Sequence, residues 1–196
     1  MADRSFSHAI AEGDGISVVA AVEDAEAARA AEGQRAEALV VSGADPASVR
    51  AATTLPVLWR ADVPAAQVAA AADAMMLVFD ELADDDGRLE ALHNEALDLG
   101  LDCAVEVRDE DEIERALDRV DPEIFVLSPA EAERDETPLE VVLDLLAAVP
   151  AGKLAIADLR RTTVDEVQEL ERAGCDAVIV AARDVSPLAG EPPPEV

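Results

Sequence analysis

One stretch of the chain predicts its fold: Leu101-Asp-Cys-Ala-Val-Glu-Val-Arg108, followed directly by Asp109-Glu-Asp-Glu-Ile-Glu-Arg-Ala-Leu117. In the first part, apolar side chains alternate with small or polar ones, which is the period-two pattern of a β-strand. The second part opens with acidic residues, which favour a helix N-terminus, and places Ile113 and Leu117 on one face. We therefore predict a strand and then a helix, with Glu106 near the carboxyl end of the strand on its small-residue face.

The same strand-then-helix unit recurs along the chain. Short apolar runs predict the other strands, which are Ile16–Val22, Ala38–Gly43, Leu55–Arg60, Ala74–Phe79, Glu123–Ser128, Lys153–Asp158 and Ala177–Ala182. Helical patterns separate them, including an Ala-rich one that opens at Pro64 and ends near Ala72. This alternation predicts a (βα)8 TIM barrel, whose parallel strands are buried on both faces. The alternative is an open doubly wound sheet, which would leave some strands at edges.

The length of 196 residues allows one sizeable core and therefore one domain. We expect an N-terminal segment (residues 1–15), the barrel (residues 16–185) and a Pro-rich tail (residues 186–196). The barrel is predicted to be trimmed, with short helices and no C-terminal eighth helix. The outer faces of Val178 and Val180 would then lie uncovered unless the tail, the N-terminal segment or a second subunit covers them. We expect a homodimer through this seam between the eighth and first strands.

The composition is strongly acidic, with 44 acidic and 15 basic residues and a formal net charge of -29. Such a surface repels nucleic acid and anionic membranes, so neither is expected as a partner. No apolar run approaches the ~20 residues that span a membrane, and no signal pattern opens the chain, so we expect a cytoplasmic protein. Either the protein works in the molar salt of a halophile, where the screening length is about 3 Å, or it is an unusually acidic protein of ordinary salt.

No metal or other cofactor is expected. Cys103 and Cys175 lie in apolar contexts, which favours buried, reduced thiols over a disulfide, and two cysteines are too few for a metal cluster. His8 and His93 are isolated in the sequence.

Four stretches carry a resemblance to a known family: Leu55-Pro-Val-Leu-Trp-Arg60, Ala72-Asp-Ala-Met-Met-Leu-Val78, Leu97-Asp-Leu-Gly-Leu-Asp-Cys-Ala-Val-Glu-Val-Arg108 and Ala173-Gly-Cys-Asp-Ala-Val-Ile-Val180. They resemble successive blocks of indole-3-glycerol phosphate synthase. That family consists of (βα)8 lyases of tryptophan biosynthesis, which close and decarboxylate a phosphorylated anthranilate-sugar. The similarity runs from Ile16 to Val185. It implies the same fold, and it implies a proton-transfer role for Glu106, which matches the family's glutamate at the end of the fifth strand.

The chain departs from that family at its other functional positions. Arg60 stands where the resemblance implies a general-acid lysine, and an arginine cannot donate a proton near neutral pH. In the first strand, the places of Glu-x-Lys fall on Ala21 and Glu23. The other three departures follow the last strands. Where the family has Asn-x-Arg after the sixth strand, this chain has Leu127-Ser128-Pro129; where it has Glu-Ser-Gly after the seventh, the chain has Asp158-Leu159-Arg160; and where it has Gly-Ser after the eighth, the chain has Ala181-Ala182. A glycine lets the backbone approach a phosphate closely, so replacing the glycines of the last two motifs also changes the phosphate-binding site that the resemblance implies.

The catalytic candidates are Glu106, Arg60 and Asp158. If the barrel forms, they lie at its carboxyl-end mouth, where barrel active sites lie. The alternative for Glu106 is an ion pair with Arg60 or Arg108 without turnover, and the alternative for Asp158 is a cap on the following loop.

The phosphate-binding candidates are Arg160, Arg161 and Arg183, which follow the seventh and eighth strands. They would hold an anion through charged side chains, or else form salt bridges with neighbouring carboxylates.

We therefore expect a diverged barrel protein, similar to indole-3-glycerol phosphate synthase, that lacks synthase activity and binds a small phosphorylated or anionic ligand. The alternative is an active carbon–carbon lyase of that type, or an isomerase on a phosphorylated metabolite, which uses Glu106 and Asp158 with Arg60.

Overall fold

The computed structural model describes residues 6–11, 15–60, 64–84, 87–129 and 137–188. Within them, eight parallel strands pair in sequence order and close into one barrel. The strands are β1 (Ser17–Val22), β2 (Ala38–Val41), β3 (Val57–Arg60), β4 (Ala74–Val78), β5 (Asp102–Val107), β6 (Ile124–Leu127), β7 (Leu154–Arg160) and β8 (Ala177–Ala181). The predicted (βα)8 barrel is confirmed, because β1 pairs with β8 and no edge remains in the described sheet.

Apart from the first helix, the helices surround the barrel and lie between successive strands of the chain. They are α1 (Phe6–Ala11), which precedes β1, and then α2 (Ala25–Gly33), α3 (Pro46–Ala52), α4 (Phe79–Leu82), α5 (Arg88–Asp98), α6 (Glu110–Arg119), α7 (Pro138–Ala148) and α8 (Val164–Ala173). Side-chain caps fix where several helices begin. Thr163, for example, caps the N-terminus of α8 and forms a capping box with Glu166. In the described part of the chain, no helix is long and apolar enough to cross a membrane.

The prediction of an α-helix from Pro64 to Ala72 is wrong. The structure has a 3-10 helix at Ala65–Gln67, followed by separate turns. The Val68 amide donates to the Ala65 carbonyl, and the Ala72 amide donates to the Val68 carbonyl. Most helical stability in proteins comes from the packing of an apolar face, so an Ala-rich pattern alone does not make this segment an α-helix.

Two hydrophobic layers make up the core. The inner layer fills the barrel with alternate residues of the strands, such as Val40, Met76, Ala104 and Ile179. The outer layer lies between strands and helices and includes Trp59, which is 4% exposed. Because side chains alternate along a strand, Ala104 in the inner layer places Glu106 inside the barrel as well.

Helix α1 closes the bottom of the barrel. Phe6 is fully buried and Ile10 is 2% exposed, and both belong to the inner layer. The backbone amide of Ser7 donates to an Asp102 carboxylate oxygen at 2.7 Å, which attaches the helix to the start of β5. Part of the predicted N-terminal segment therefore contributes to the barrel core.

The seam between β8 and β1 is covered by the chain itself. Val178 and Val180 are fully buried, so of the three covers that the sequence offered the chain itself supplies one. A 3-10 helix, Ala182–Asp184, follows β8, and beyond it Val185 is fully buried and Leu188 packs on the outer layer. Residues 182–188 contain no α-helix, and the rest of the predicted Pro-rich tail, residues 189–196, lies outside the described residues. The homodimer stays a prediction, although burial of the seam removes the reason that the sequence offered for it.

Candidate active site

Glu106 lies near the carboxyl end of β5 and is only 3% exposed. Its two carboxylate oxygens accept hydrogen bonds from Arg60, which ends β3: Arg60 Nε donates at 2.9 Å and Nη2 at 3.2 Å. This is the bidentate geometry that makes arginine–carboxylate pairs strong and directional. Strand β4 lies between β3 and β5, so the pair spans part of the barrel mouth.

Arg108 adds a second positive charge beside Glu106. Its Nη2 lies 3.9 Å from a Glu106 carboxylate oxygen, and its Nη1 lies 2.9 Å from a carboxylate oxygen of the exposed Asp80. The sequence offered pairing with Arg60 or Arg108 as the alternative for Glu106, and the structure contains both contacts.

Asp158 and Arg160 form the other charged pair of the mouth. A β-bulge interrupts the pairing of β7 with β8 after Asp158, and Arg160 adopts a left-handed backbone with φ of 54°. Bulges redirect side chains, and here Arg160 Nε donates to Asp158 Oδ1 at 2.6 Å. Burial raises the pKa of the Asp158 carboxyl above its ordinary value, and the positive charges of Arg160 and Arg60 offset part of this rise.

Two cavities open at the mouth and share Arg60 and Arg160 as walls. The β5–β7 cavity has a volume of about 530 Å³, and its other lining residues are Glu106, Arg108, Ser128, Pro129, Pro138, Asp158 and Leu159. The β1–β2 cavity has a volume of about 290 Å³, and its other lining residues are Ala21, Val22, Glu23, Asp24, Ala27, Val40, Ser42 and Ala181. The mouth is therefore open on both sides of the shared arginines.

The structure brings Glu106, Arg60, Asp158 and Arg160 together at the mouth. Arg161 and Arg183 are exposed and line neither cavity. Arg183 Nε lies 3.7 Å from a carboxylate oxygen of Asp184, which is the salt bridge that the sequence offered as an alternative. A phosphate-binding role for Arg161 and Arg183 stays a prediction.

Sequence reasoning did not assign Glu23, Asp24 or Ser42 to the site. They follow the first two strands, and the carboxyl ends of all strands meet at one end of a barrel. That placement is the signal that could have found them.

Other chemical groups of the described chain lie away from the mouth. Cys103 and Cys175 are free and buried, as predicted, and burial raises the pKa of each thiol to about 12. Among the residues that the structure describes, no group of three or more His, Cys, Asp or Glu side chains is placed to hold a metal ion.

Parallel strands closed around a charged mouth at their carboxyl ends define a (βα)8 barrel of the kind that carries enzyme active sites. Solved structures with this fold are similar to the chain over most of its length. N-acetylmannosamine-6-phosphate 2-epimerase from Clostridium perfringens aligns with a TM-score of 0.67 at 14% identity, over 88% of each chain. Thiamine phosphate pyrophosphorylase from Pyrococcus furiosus aligns with a TM-score of 0.64 at 16% identity, over 88% of this chain and 93% of that one. At such low identity these likenesses show the fold alone.

The sequence identifies the family within this fold. The family model of indole-3-glycerol phosphate synthase matches residues 46–183, and the chain belongs to that family. An indole-3-glycerol phosphate synthase of Geobacillus sp. (strain WCH70) is 31% identical over 109 residues, and that of Halalkalibacterium halodurans is 30% identical over 109 residues. Each match covers 56% of this chain and 42% of the relative, so the chain matches about two fifths of the length of these synthases.

Proposed function

We propose that this chain is a diverged member of the indole-3-glycerol phosphate synthase family that binds a small anionic ligand in its barrel mouth and does not turn over the synthase substrate. The observation that carries the proposal is the bidentate pair between Arg60 and Glu106. Both oxygens of the buried carboxylate accept hydrogen bonds from one guanidinium group. The one acid–base residue that matches the family is therefore engaged in an ion pair.

The same pair argues against synthase turnover. Arg60 occupies the place of a general acid, but an arginine side chain cannot serve as a proton donor near neutral pH. A positioned general acid or base typically contributes roughly 10²–10⁴-fold to a rate, so this replacement alone would slow the reaction by about that factor. Glu106 would also have to give up its two hydrogen bonds with Arg60 before its carboxylate could act as a base.

Anion binding is supported by the hydrogen-bond donors that the arginines keep. A guanidinium group has five N–H donors. In the described structure, Arg160 hydrogen bonds to Asp158 only through Nε, and Arg60 hydrogen bonds to Glu106 through Nε and Nη2. Both side chains line open cavities, so their remaining N–H groups are available to the oxygens of a phosphate or carboxylate.

A lyase or isomerase that acts on a phosphorylated metabolite is the second candidate function, and Asp158 favours it. Burial raises the pKa of this carboxyl, which is how enzymes prepare a carboxylic acid to donate a proton near neutral pH. Asp158 and Glu106 line the same cavity, so a substrate there would contact two carboxyl groups.

The proposal is tested by a turnover assay and a binding titration. With the phosphorylated anthranilate-sugar as substrate, we expect no release of carbon dioxide from the natural chain or from Glu106→Gln. Release from the natural chain that Glu106→Gln abolishes would establish the enzyme instead. Arg60→Lys restores the lysine that the resemblance implies as the general acid, so release of carbon dioxide by this variant would show that the missing acid alone prevents turnover.

Binding is measured by calorimetric titration with inorganic phosphate. We expect Arg160→Gln to weaken binding, whereas Arg172→Gln, which removes the same charge at an exposed position of α8 outside both cavities, should leave it unchanged. A natural chain that binds no phosphate would contradict the proposal. Equal losses in the two variants would indicate a general charge effect and would also contradict it.

A further inference from the structure

We infer that the mouth selects a ligand with a single anionic group, and that Glu23 is the residue that rejects a second one. This inference rests on the proposed function, because it concerns the same anion-binding mouth. It adds the class of ligand and names a specificity-determining residue that has no part in the arginine pairs.

The two cavities have different charges. In the β5–β7 cavity, Arg60, Arg108 and Arg160 face the carboxylates of Glu106 and Asp158, and Asp80 beside Arg108 balances the third guanidinium group. In the β1–β2 cavity, only the two shared arginines are present, and each is already paired with a buried carboxylate of the other cavity.

Glu23 and Asp24 add two carboxylates to the wall of the β1–β2 cavity. An anionic group is therefore repelled by the β1–β2 cavity, whereas the charges around the β5–β7 cavity are balanced.

The start of helix α2 does not offset this repulsion. Helix N-termini attract anions through unpaired backbone amides, but Asp24 already caps α2 by accepting a hydrogen bond from the Ala27 amide at 2.7 Å. Among the hydrogen bonds and ion pairs of the described residues, none involves the Glu23 side chain, which is exposed. Its carboxylate is therefore the charge in this cavity that neither a cap nor an arginine neutralises.

The size and lining of the β1–β2 cavity indicate what the rest of the ligand is like. Its volume of about 290 Å³ suits a short chain of atoms, and the small side chains of Ala21, Ala27 and Ala181 leave that room. The hydroxyl of Ser42 can both donate and accept a hydrogen bond. A short, hydroxyl-bearing body with one phosphate or carboxylate head fits both cavities, with the head beside Arg108 and Arg160.

The test compares two ligands of the same length: glycerol 3-phosphate, which has one anionic group, and 3-phosphoglycerate, which adds a carboxylate at the other end. Titrations are done at the lowest salt concentration at which the chain stays folded, because salt screens the effect. Two unit charges about 4 Å apart in water repel by about 1 kcal/mol, which is a factor of about five in a dissociation constant. We expect the natural chain to bind glycerol 3-phosphate more tightly, by up to about fivefold where screening is weak and by less as salt is added.

Three variants identify the residue responsible. Glu23→Gln should remove the preference, and Glu23→Lys should reverse it in favour of 3-phosphoglycerate. Glu169→Gln, an equal charge change at an exposed position of α8 that lines neither cavity, should keep it. Because Glu23 is exposed, none of these changes removes a buried contact.

The outcomes separate this inference from the proposed function. If the natural chain binds both ligands equally and Arg160→Gln weakens both, anion binding stands and the inference is overturned. A preference that survives in Glu23→Gln overturns it as well. If neither ligand binds, the proposed function fails, and the inference fails with it.

Discussion

The Arg60–Glu106 pair allows a prediction about stability that depends on which partner is removed. Glu106 is 3% exposed at its side chain, whereas Arg60 is 32% exposed. Arg60→Met leaves a buried carboxylate whose nearest remaining cation is Arg108, at 3.9 Å. Glu106→Gln leaves an arginine that water already reaches. The two single variants should therefore differ, although they break the same ion pair.

The magnitudes follow from this difference in burial. Removing one partner of a buried pair costs about 3–5 kcal/mol. We expect Arg60→Met to lower the free energy of unfolding by about 3 kcal/mol, the low end of that range, because the positive charge of Arg108 still lies beside Glu106. Glu106→Gln should cost about 1 kcal/mol, the value of one hydrogen bond. For a chain of this size, 1 kcal/mol corresponds to roughly 2–4 °C in Tm, so we expect losses of roughly 6–12 °C and 2–4 °C.

The assay is thermal unfolding followed by circular dichroism in molar salt, where exposed charges are screened and buried pairs much less. The double variant Arg60→Met/Glu106→Leu is the control, because replacing a buried ion pair by apolar side chains is often neutral or stabilising. It should unfold close to the natural chain. Equal losses in both single variants, or a double variant as unstable as Arg60→Met, would refute the reasoning.

Further predictions concern salt, the barrel floor and pH. The net charge of -29 predicts that the chain unfolds in dilute buffer and refolds in molar salt. Trp59 is the single tryptophan and is 4% exposed, so unfolding should shift its fluorescence emission to the red. A Tm that does not change with salt would contradict this prediction. Phe6→Ala should lower the free energy of unfolding by about 3–5 kcal/mol, because Phe6 is fully buried in the barrel floor. The control Leu97→Ala, at a position 51% exposed, should change it by less than about 0.5 kcal/mol. Similar values for the two variants would show that α1 does not close the barrel. Burial raises the folded-state pKa of Asp158, so its contribution to stability is fully present below its unfolded pKa and is lost as the pH rises through the folded value. Asp158→Asn stays neutral, so its stability relative to the natural chain should be greatest at neutral pH and should fall towards pH 4. Urea unfolding at several pH values measures this difference in stability. A difference that does not depend on pH would contradict the prediction.

The mouth of this barrel differs from the family pattern mainly in the sign and proton chemistry of its charges. Where the resemblance implies lysines, the chain has Arg60 and Glu23. The first exchange keeps a positive charge but places an arginine where the resemblance implies a proton donor, and this arginine forms a bidentate ion pair with Glu106. The second exchange puts a negative charge on the wall of the β1–β2 cavity.

The sequence by itself determined the barrel, most of its strands and the face of Glu106. Strand periodicity is a local property of side chains, and eight repeats of one unit leave few arrangements in which every strand is buried. For the same reason, α8 begins and ends where its capping box and Gly174 predict. The failure at Pro64–Ala72 has a different origin, because helix propensity alone does not decide whether a segment becomes helical without tertiary packing.

Only the tertiary structure decided which charges meet. Arg60 and Glu106 are 46 residues apart in the chain, and nothing local to either position distinguishes a bidentate pair from two separate groups. The structure likewise decided that Phe6 closes the floor, that Val178 and Val180 are covered, and that Arg160 turns back to Asp158 through a bulge. Each of these depends on where distant segments lie when the barrel closes, which is set by the register of the strands and not by the pattern within any one of them.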